Sequence, residues 1–226
     1  MSAAPALPGG VYLVLDADVC ARAGHHPAQV AGAAVRAGVG TVQVRAKRAS
    51  VRELVDLTVA VADALRLAGP AALVVDDRVD VALAARARGA SVDGVHVGQR
   101  DLEVDDARAL LGADALIGVS AALPEHVRAA PGADHVGSGP VRLTPTKPEA
   151  GPALGFDGLR RAVDAAAGRP VVAIGGLTAS DAPALRAAGA HAMAVVSAVC
   201  AAADPGAAAA ALVAAWDGAL VAGGAR

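Results

Sequence analysis

Aromatic side chains are nearly absent from this chain. Tyr12, Phe156 and Trp216 are the only three in 226 residues. Rings that scarce cannot form the stacking platforms on which single-stranded nucleic acid lies. An excess of positive charge is missing too. The 20 Lys and Arg stand against 22 Asp and Glu, a net charge of −2, where a nucleic-acid partner demands a basic surface. Nucleic acid is therefore excluded as the expected partner. Cysteine is scarce: Cys20 and Cys200 are isolated, with no Cys-x-x-Cys pair. That pattern excludes a disulfide framework and reads as a reduced, cytoplasmic protein with two inert thiols. The opening MSAAPALPGG has no basic flank and apolar run of the secretory kind. Every apolar run is interrupted by Asp, Arg or Gly before it could span a bilayer, so no membrane partner is expected.

Apolar residues are plentiful, at 55% of the chain against 19% charged. A folded domain with a large core is expected, not a disordered chain. Short β-branched runs recur at 11–16, 41–46, 71–77, 92–98, 115–120, 134–139, 170–176 and 191–197. Their continuous apolar character suits strands covered on both faces. Ala-rich stretches follow each run, at roughly 27–38, 50–68, 79–89, 104–112, 124–130, 157–167, 181–188 and 206–221, and these read as helices. Ser50 and Glu53 have capping-box spacing. The repeated ending Ala-Gly, at 37–38, 68–69 and 188–189, suits helix C-termini. Eight alternations in one chain predict an α/β fold, a single (β/α)₈ TIM barrel over 1–226, with about 1–10 and 222–226 as loose ends. An open doubly wound sheet is the alternative, but the first strand–helix junction, DADVCARAGHHP, carries no Gly-x-Gly-x-x-Gly.

Active residues of such a barrel gather where strands end. Polar residues fall at seven of the eight exits. Gln43, Arg45 and Lys47 alternate, so all three face one side. Asp76-Asp77-Arg78 follows the third run. His96, Gln99 and Asp101 follow the fourth, and Ser120 the fifth. The sixth opens into GSGPVRLTPTK with Thr144, Thr146 and Lys147. Gly175-Gly176 and Val196-Ser197 close the last two. Singly, each has a plainer reading. Gln-x-Arg-x-Lys could be a solvated strand end, and Asp76-Asp77 a helix cap. Gly175-Gly176 could be a turn, and His96 a structural histidine. His25, His26, His126 and His191 read as surface. Together, the coincidence with barrel geometry favours a site.

The charges say what the site holds. Arg45, Lys47 and Lys147, with the hydroxyls of Ser120, Thr144, Thr146 and Ser197, suit phosphate oxygens. Asp77 and Asp101 would repel such an anion, by about 4 kcal/mol for one pair at 4 Å in a medium of effective dielectric near 20. Carboxylates in a phosphate site make sense around a hard divalent cation. Mg²⁺ is usually held by one or two carboxylates plus phosphate oxygens and water. A magnesium diphosphate is expected there, with a second phosphate region near the last two strands.

The motifs resemble those of the thiamine phosphate synthase family. The matching segments are VQVRAK, DDRVD, DGVHVGQRD (93–101), GPVRLTPTK, VAIGG and VVSA, spread over about residues 11–205. The resemblance implies a transferase of thiamine biosynthesis. It would join 4-amino-2-methyl-5-hydroxymethylpyrimidine diphosphate to a (carboxy)thiazole phosphate and release diphosphate by a dissociative step. It assigns Gln43, Arg45 and Lys47, with Asp76 beside them, to the pyrimidine diphosphate. It gives Mg²⁺ to Asp77 and Asp101. Arg45, Ser120 and Lys147 would act on the diphosphate or the reacting centre. Thr144, Thr146, Gly176, Val196 and Ser197 would hold the thiazole phosphate.

The chain departs from the family pattern in four places. Asp76 replaces the usual Asn. Arg142-Leu143 replaces Phe-Pro; Arg142 reads as a solvated loop arginine, with an added phosphate contact as the other reading. Ser120-Ala121-Ala122 lacks the histidine of a Ser-x-His. ALAARARGASVDG is about five residues longer than usual, in a connection where insertions are tolerated. Two alternatives remain: a thiazole tautomerase on the same barrel, or a non-catalytic barrel that binds phosphate ligands. A homo-oligomer is compatible with the outer helices, but their Ala-rich surface offers no decisive patch.

Overall fold

The computed structural model describes residues 6–144 and 151–223. Eight parallel strands close on themselves in sequence order. They are β1 (Gly10–Asp16), β2 (Thr41–Arg45), β3 (Ala72–Asp76), β4 (Gly94–Val97), β5 (Leu116–Ser120), β6 (His135–Ser138), β7 (Val171–Ile174) and β8 (Ala192–Val195). Closure runs through β8 and β1, with Gly10 opposite Ala192 and Leu13 opposite Val195. The expected (β/α)₈ barrel is the fold observed.

Around it run α1 (Ala17–Arg22), α2 (Pro27–Arg36), α3 (Val51–Ala68), α4 (Val79–Ala87), α5 (Val104–Leu111), α6 (Pro124–Ala129), α7 (Gly155–Ala166), α8 (Ala182–Ala187), α9 (Ser197–Cys200) and α10 (Pro205–Gly223), with a 3₁₀ turn at Ala179–Asp181. Helix α3 starts with the capping box that Ser50 and Glu53 predict. The Ser50 backbone N–H donates to Glu53 Oε2 at 2.8 Å, and the Glu53 N–H to Ser50 Oγ at 3.4 Å.

Alternate residues of each strand enter two separate cores. Leu13, Leu15, Val42, Val44, Leu73, Val75, Val95, Ile117, Val136 and Met193 pack outward with the helices. Tyr12, Val14, Val74, Leu116, Val172, Ala192 and Ala194 fill the barrel lumen, where Leu7 joins them. Both faces are covered, so the strands are apolar at most positions. At the end where helices feed into strands, arginines satisfy the chain's carbonyls. Arg86 donates to the carbonyls of Val92, Asp93 and Leu111 at 2.8–3.0 Å.

Some boundaries differ from expectation. Helix α1 starts where the first strand ends, because Asp16 both closes β1 and caps the helix. Its Oδ1 accepts from the Val19 N–H at 3.0 Å. The eighth run was expected to extend through Ser197, but β8 stops at Val195 and α9 starts at Ser197. The third run stops one residue short, because Asp77 has φ +59°, outside any strand. Among the described residues, no helix is long and apolar enough to cross a membrane.

Candidate active site

Strand β2 aims Gln43 and Arg45 into the lumen, and Lys47 follows at the rim. Gln43 lies deepest, 4% exposed, and its amide donates to the Tyr12 hydroxyl at 3.0 Å. Burial raises the pKa of that phenol, so it stays protonated. Arg45 is ion-paired with Asp16 and also reaches Asp76, Nε to Oδ2 at 3.4 Å. Lys47 Nζ lies 3.0 Å from the same Asp76 oxygen and also pairs with Asp77. Partial desolvation would lower the Lys47 pKa, but Asp76 and Asp77 outweigh it and raise it. Asp76, standing where the resemblance implies an amide, is thus ion-paired with both cations.

Asp77 occupies the left-handed region as a non-glycine residue, a conformation that costs roughly 1–3 kcal/mol. Its N–H still extends the ladder, donating to the His96 carbonyl at 2.8 Å. Asp101 closes the turn after β4, with Oδ2 accepting from the Gly98 N–H at 2.8 Å. Asp77 and Asp101 adjoin. Partial desolvation raises the Asp101 pKa and the neighbouring Asp77 adds to it, outweighing the Gly98 N–H and Lys47, which lower it. Neighbouring carboxylates at the strand ends form a hard-oxygen donor pair. The set fits Mg²⁺, which asks for only one or two carboxylates beside phosphate and water. Among the described residues, no larger cluster of His, Cys, Asp and Glu could hold a metal.

Ser120 ends β5, half-buried at the mouth. Its Oγ lies 3.0 Å from His96 Nε2, and its carbonyl accepts from the Gln99 amide at 2.7 Å. His96 Nδ1 in turn lies 3.3 Å from Nε2 of the fully buried His135. His96 is thus tied into the site's hydroxyl, beyond the structural role expected of it.

On the opposite rim, the loop after β6 is stitched to the end of β7. The Val141 N–H donates to the Ile174 carbonyl at 2.8 Å, and the Arg142 N–H to that of Gly175 at 3.0 Å. Gly175 and Gly176, at φ +106° and +62°, make this possible. A Cβ on Gly175 would stand 2.5 Å from Pro140, and one on Gly176 2.8 Å from the Leu143 carbonyl. Arg142 is exposed, as the sequence reading expects, but it is also ion-paired. Its Nη2 and Nε reach Asp181 Oδ1 at 2.7 and 3.1 Å, and its guanidinium lies over the Phe156 ring. Thr144 follows on this loop, half-buried, with Gly176 and Ser197 exposed and Val196 half-buried along the same rim. Thr146 and Lys147 lie outside the described residues.

The structure therefore brings Arg45, Lys47, Asp76, Asp77 and Asp101 into one connected polar group with Asp16, while Gln43 lies on the same strand face and bonds Tyr12. Ser120 joins the neighbouring His96–His135 pair. Sequence reasoning missed Asp16, His135 and the Arg142–Asp181 pair. Asp16 was within reach, since it ends the one strand whose exit was not counted. The histidines expected at the surface are also partly tied down: His25 Nε2 lies 2.8 Å from the Ala202 carbonyl, and His191 Nε2 2.9 Å from that of Leu7. Cys20 and Cys200 are buried free thiols.

Comparison with known proteins agrees with this architecture. The thiamine-phosphate synthase of Corynebacterium efficiens is 50% identical over 184 residues, 80% of this chain and 84% of that protein. That of Chloroflexus aurantiacus is 45% identical over 211 residues, 92% of this chain and 93% of the relative. Among solved structures, the thiamine phosphate pyrophosphorylase of Pyrococcus furiosus superposes with a TM-score of 0.80 at 30% identity, covering 93% of this chain and 96% of that one. The family described as thiamine monophosphate synthase matches residues 11–199. With its closed barrel and its acids and cations gathered at the strand ends, this chain belongs to the thiamine monophosphate synthase family.

Proposed function

We propose that the mouth of the barrel joins 4-amino-2-methyl-5-hydroxymethylpyrimidine diphosphate to a thiazole phosphate, releasing diphosphate and forming thiamine phosphate. Family membership makes the chain a transferase of thiamine-phosphate synthesis. The finer reading rests on one observation: Asp77 and Asp101 adjoin beside the cations Arg45 and Lys47.

Four acids, Asp16, Asp76, Asp77 and Asp101, outnumber the cations Arg45 and Lys47 in this part of the rim. Without added positive charge the group would repel a diphosphate. Mg²⁺ held by Asp77 and Asp101 would supply that charge to the diphosphate oxygens. Arg45 and Lys47 bind the diphosphate, with Arg45 already aligned by Asp16. Gln43 meets the pyrimidine from the floor, and Asp76 can accept from its amino group. Ser120 and, from the loop, Lys147 face the diphosphate as charge develops on it. Thr144, Thr146, Gly176, Val196 and Ser197 receive the thiazole phosphate on the opposite rim. Catalysis in this reading is mainly the positioning of two substrates and the stabilisation of departing charge. The reading places the chain in the cytoplasm, where Cys20 and Cys200 stay reduced.

The test is direct. The protein is mixed with the pyrimidine diphosphate, thiazole phosphate and Mg²⁺, and thiamine phosphate and diphosphate are followed. Both should appear in equal amounts and only with the metal present. Tautomerisation of a carboxythiazole without coupling, or binding without turnover, would overturn the reading.

A further inference from the structure

An imidazole pair, one ring fully buried and the other half-buried, lies beneath Ser120. His135, the first residue of β6, is 0% exposed, and its Nε2 lies 3.3 Å from His96 Nδ1. His96 Nε2 lies 3.0 Å from Ser120 Oγ. The three side chains form one line from the lumen to the mouth. Two glycines clear the space. A Cβ on Gly118 would stand 2.2 Å from His135 Nε2 and 2.5 Å from His96 Nδ1, and one on Gly137 2.9 Å from His96 Cε1. Such lumens are usually packed with branched aliphatic side chains, and burying polar groups costs free energy unless they are hydrogen-bonded. A polar line built into this wall therefore calls for a use.

The line has a direction. Each nitrogen contact needs one proton and one lone pair. Burial lowers the His135 pKa well below its ordinary value, so the ring is neutral and carries a single N–H. Its Nδ1 has no hydrogen-bond partner among the described residues. A proton there would bury an unsatisfied donor, whereas on Nε2 it is used by His96. His96 then accepts at Nδ1 and carries its own proton on Nε2, which donates to Ser120 Oγ. The Ser120 proton is left to point away from the ring, and a hydroxyl that already accepts a hydrogen bond is a stronger donor. The reverse polarity would turn the Ser120 proton inward and offer lone pairs to an incoming anion.

We propose that His135 is a positioning residue that acts through His96 to hold the Ser120 hydroxyl as an outward donor to a phosphoryl oxygen at the mouth. The identity of that anion rests on the function proposed above; the direction of the line does not.

Two measurements test it. In the unliganded ¹⁵N-labelled protein, long-range ¹H–¹⁵N correlation of the imidazoles should show both His135 and His96 as Nε2–H tautomers, with His135 assigned by its loss in His135→Gln. An Nδ1–H tautomer of either ring overturns the proposal. In kinetics, His135→Phe should lower kcat about tenfold, the size of one lost hydrogen bond, with KM nearly unchanged. His135→Gln, whose amide can place an N–H near the Nε2 position, should recover most of that loss. In a Ser120→Ala background, His135→Phe should change kcat less than twofold, since its effect runs through the missing hydroxyl. An equal fall in both backgrounds overturns the proposal. Should His135→Phe fail to fold, the tautomers of the unaltered protein decide. The expected tautomers in a protein that forms no thiamine phosphate would sink the proposed reaction and leave this line of donors standing.

Discussion

The Oδ2 oxygen of Asp76 stands 3.0 Å from Lys47 Nζ, and the same oxygen is 3.4 Å from Arg45 Nε. One carboxylate therefore competes with an incoming diphosphate for both cations that would bind it. Asp76→Asn removes the competitor and keeps the shape. The variant should lower KM for the pyrimidine diphosphate by about fivefold, the scale of a partly exposed ion pair, with kcat little changed. Steady-state kinetics at fixed Mg²⁺ checks this; a collapse of kcat would mean that the negative charge of Asp76 itself is required.

Asp101→Asn bears on the metal. The amide keeps the side chain's size but takes away the charged oxygen ligand. The Mg²⁺ concentration that gives half-maximal turnover should rise at least about tenfold. Titrating the metal against thiamine phosphate formation measures it. An unshifted Mg²⁺ dependence would remove Asp101 from the metal site.

The Arg142–Asp181 pair predicts a pH-dependent stability. Desolvation alone would raise the Asp181 pKa, but Arg142 and the donors of Thr178 outweigh it and hold it below the ordinary value near 3.8. A depressed folded-state pKa adds stability above the ordinary value, and that stability is lost as pH falls through the folded one. Arg142→Ala should cost about 1 kcal/mol at neutral pH, because the guanidinium is half in water, and lower Tm by roughly 2–4 °C. The gap from the parent protein should narrow as pH falls below 3.8. Thermal melts at pH 7 and pH 3 test it; a gap independent of pH would mean that Arg142 contributes packing on Phe156 and not charge.

Two glycine substitutions should act with opposite sign. Gly118→Ala drives a methyl into both imidazoles and should destabilise by about 1–3 kcal/mol. Gly218 lies exposed within α10 with nothing within 4 Å of a Cβ. Gly218→Ala should stabilise by about 0.5–1 kcal/mol. Chemical denaturation of both variants reads the difference. Equal effects would contradict the space assigned to the histidine pair.

Much of the barrel was legible because both faces of each strand are buried, and a run such as VYLVLD leaves little room for another reading. The short helices α1 and α9 were not. Asp16 ends a strand and caps a helix in one residue, and the apolar letters of Val195 and Val196 conceal the turn into α9. In the site, the alternation of Gln43, Arg45 and Lys47 gave their common direction at once. The meeting of His96 with His135 could not be read, since they are 39 positions apart. Only the register that sets Asp76 against His96, His96 against Gly118, and Gly118 against His135 brings them together.

The left-handed backbone at Asp77 limits what can ever occupy that position. Glycine adopts such a twist freely, and asparagine and aspartate more readily than other side chains, and of these three only aspartate brings a negative oxygen. A longer acid would meet conformational resistance before reaching any ion. Substitution there therefore has almost no conservative choice: a change either gives up the charge or forces a larger side chain into a twist that it resists.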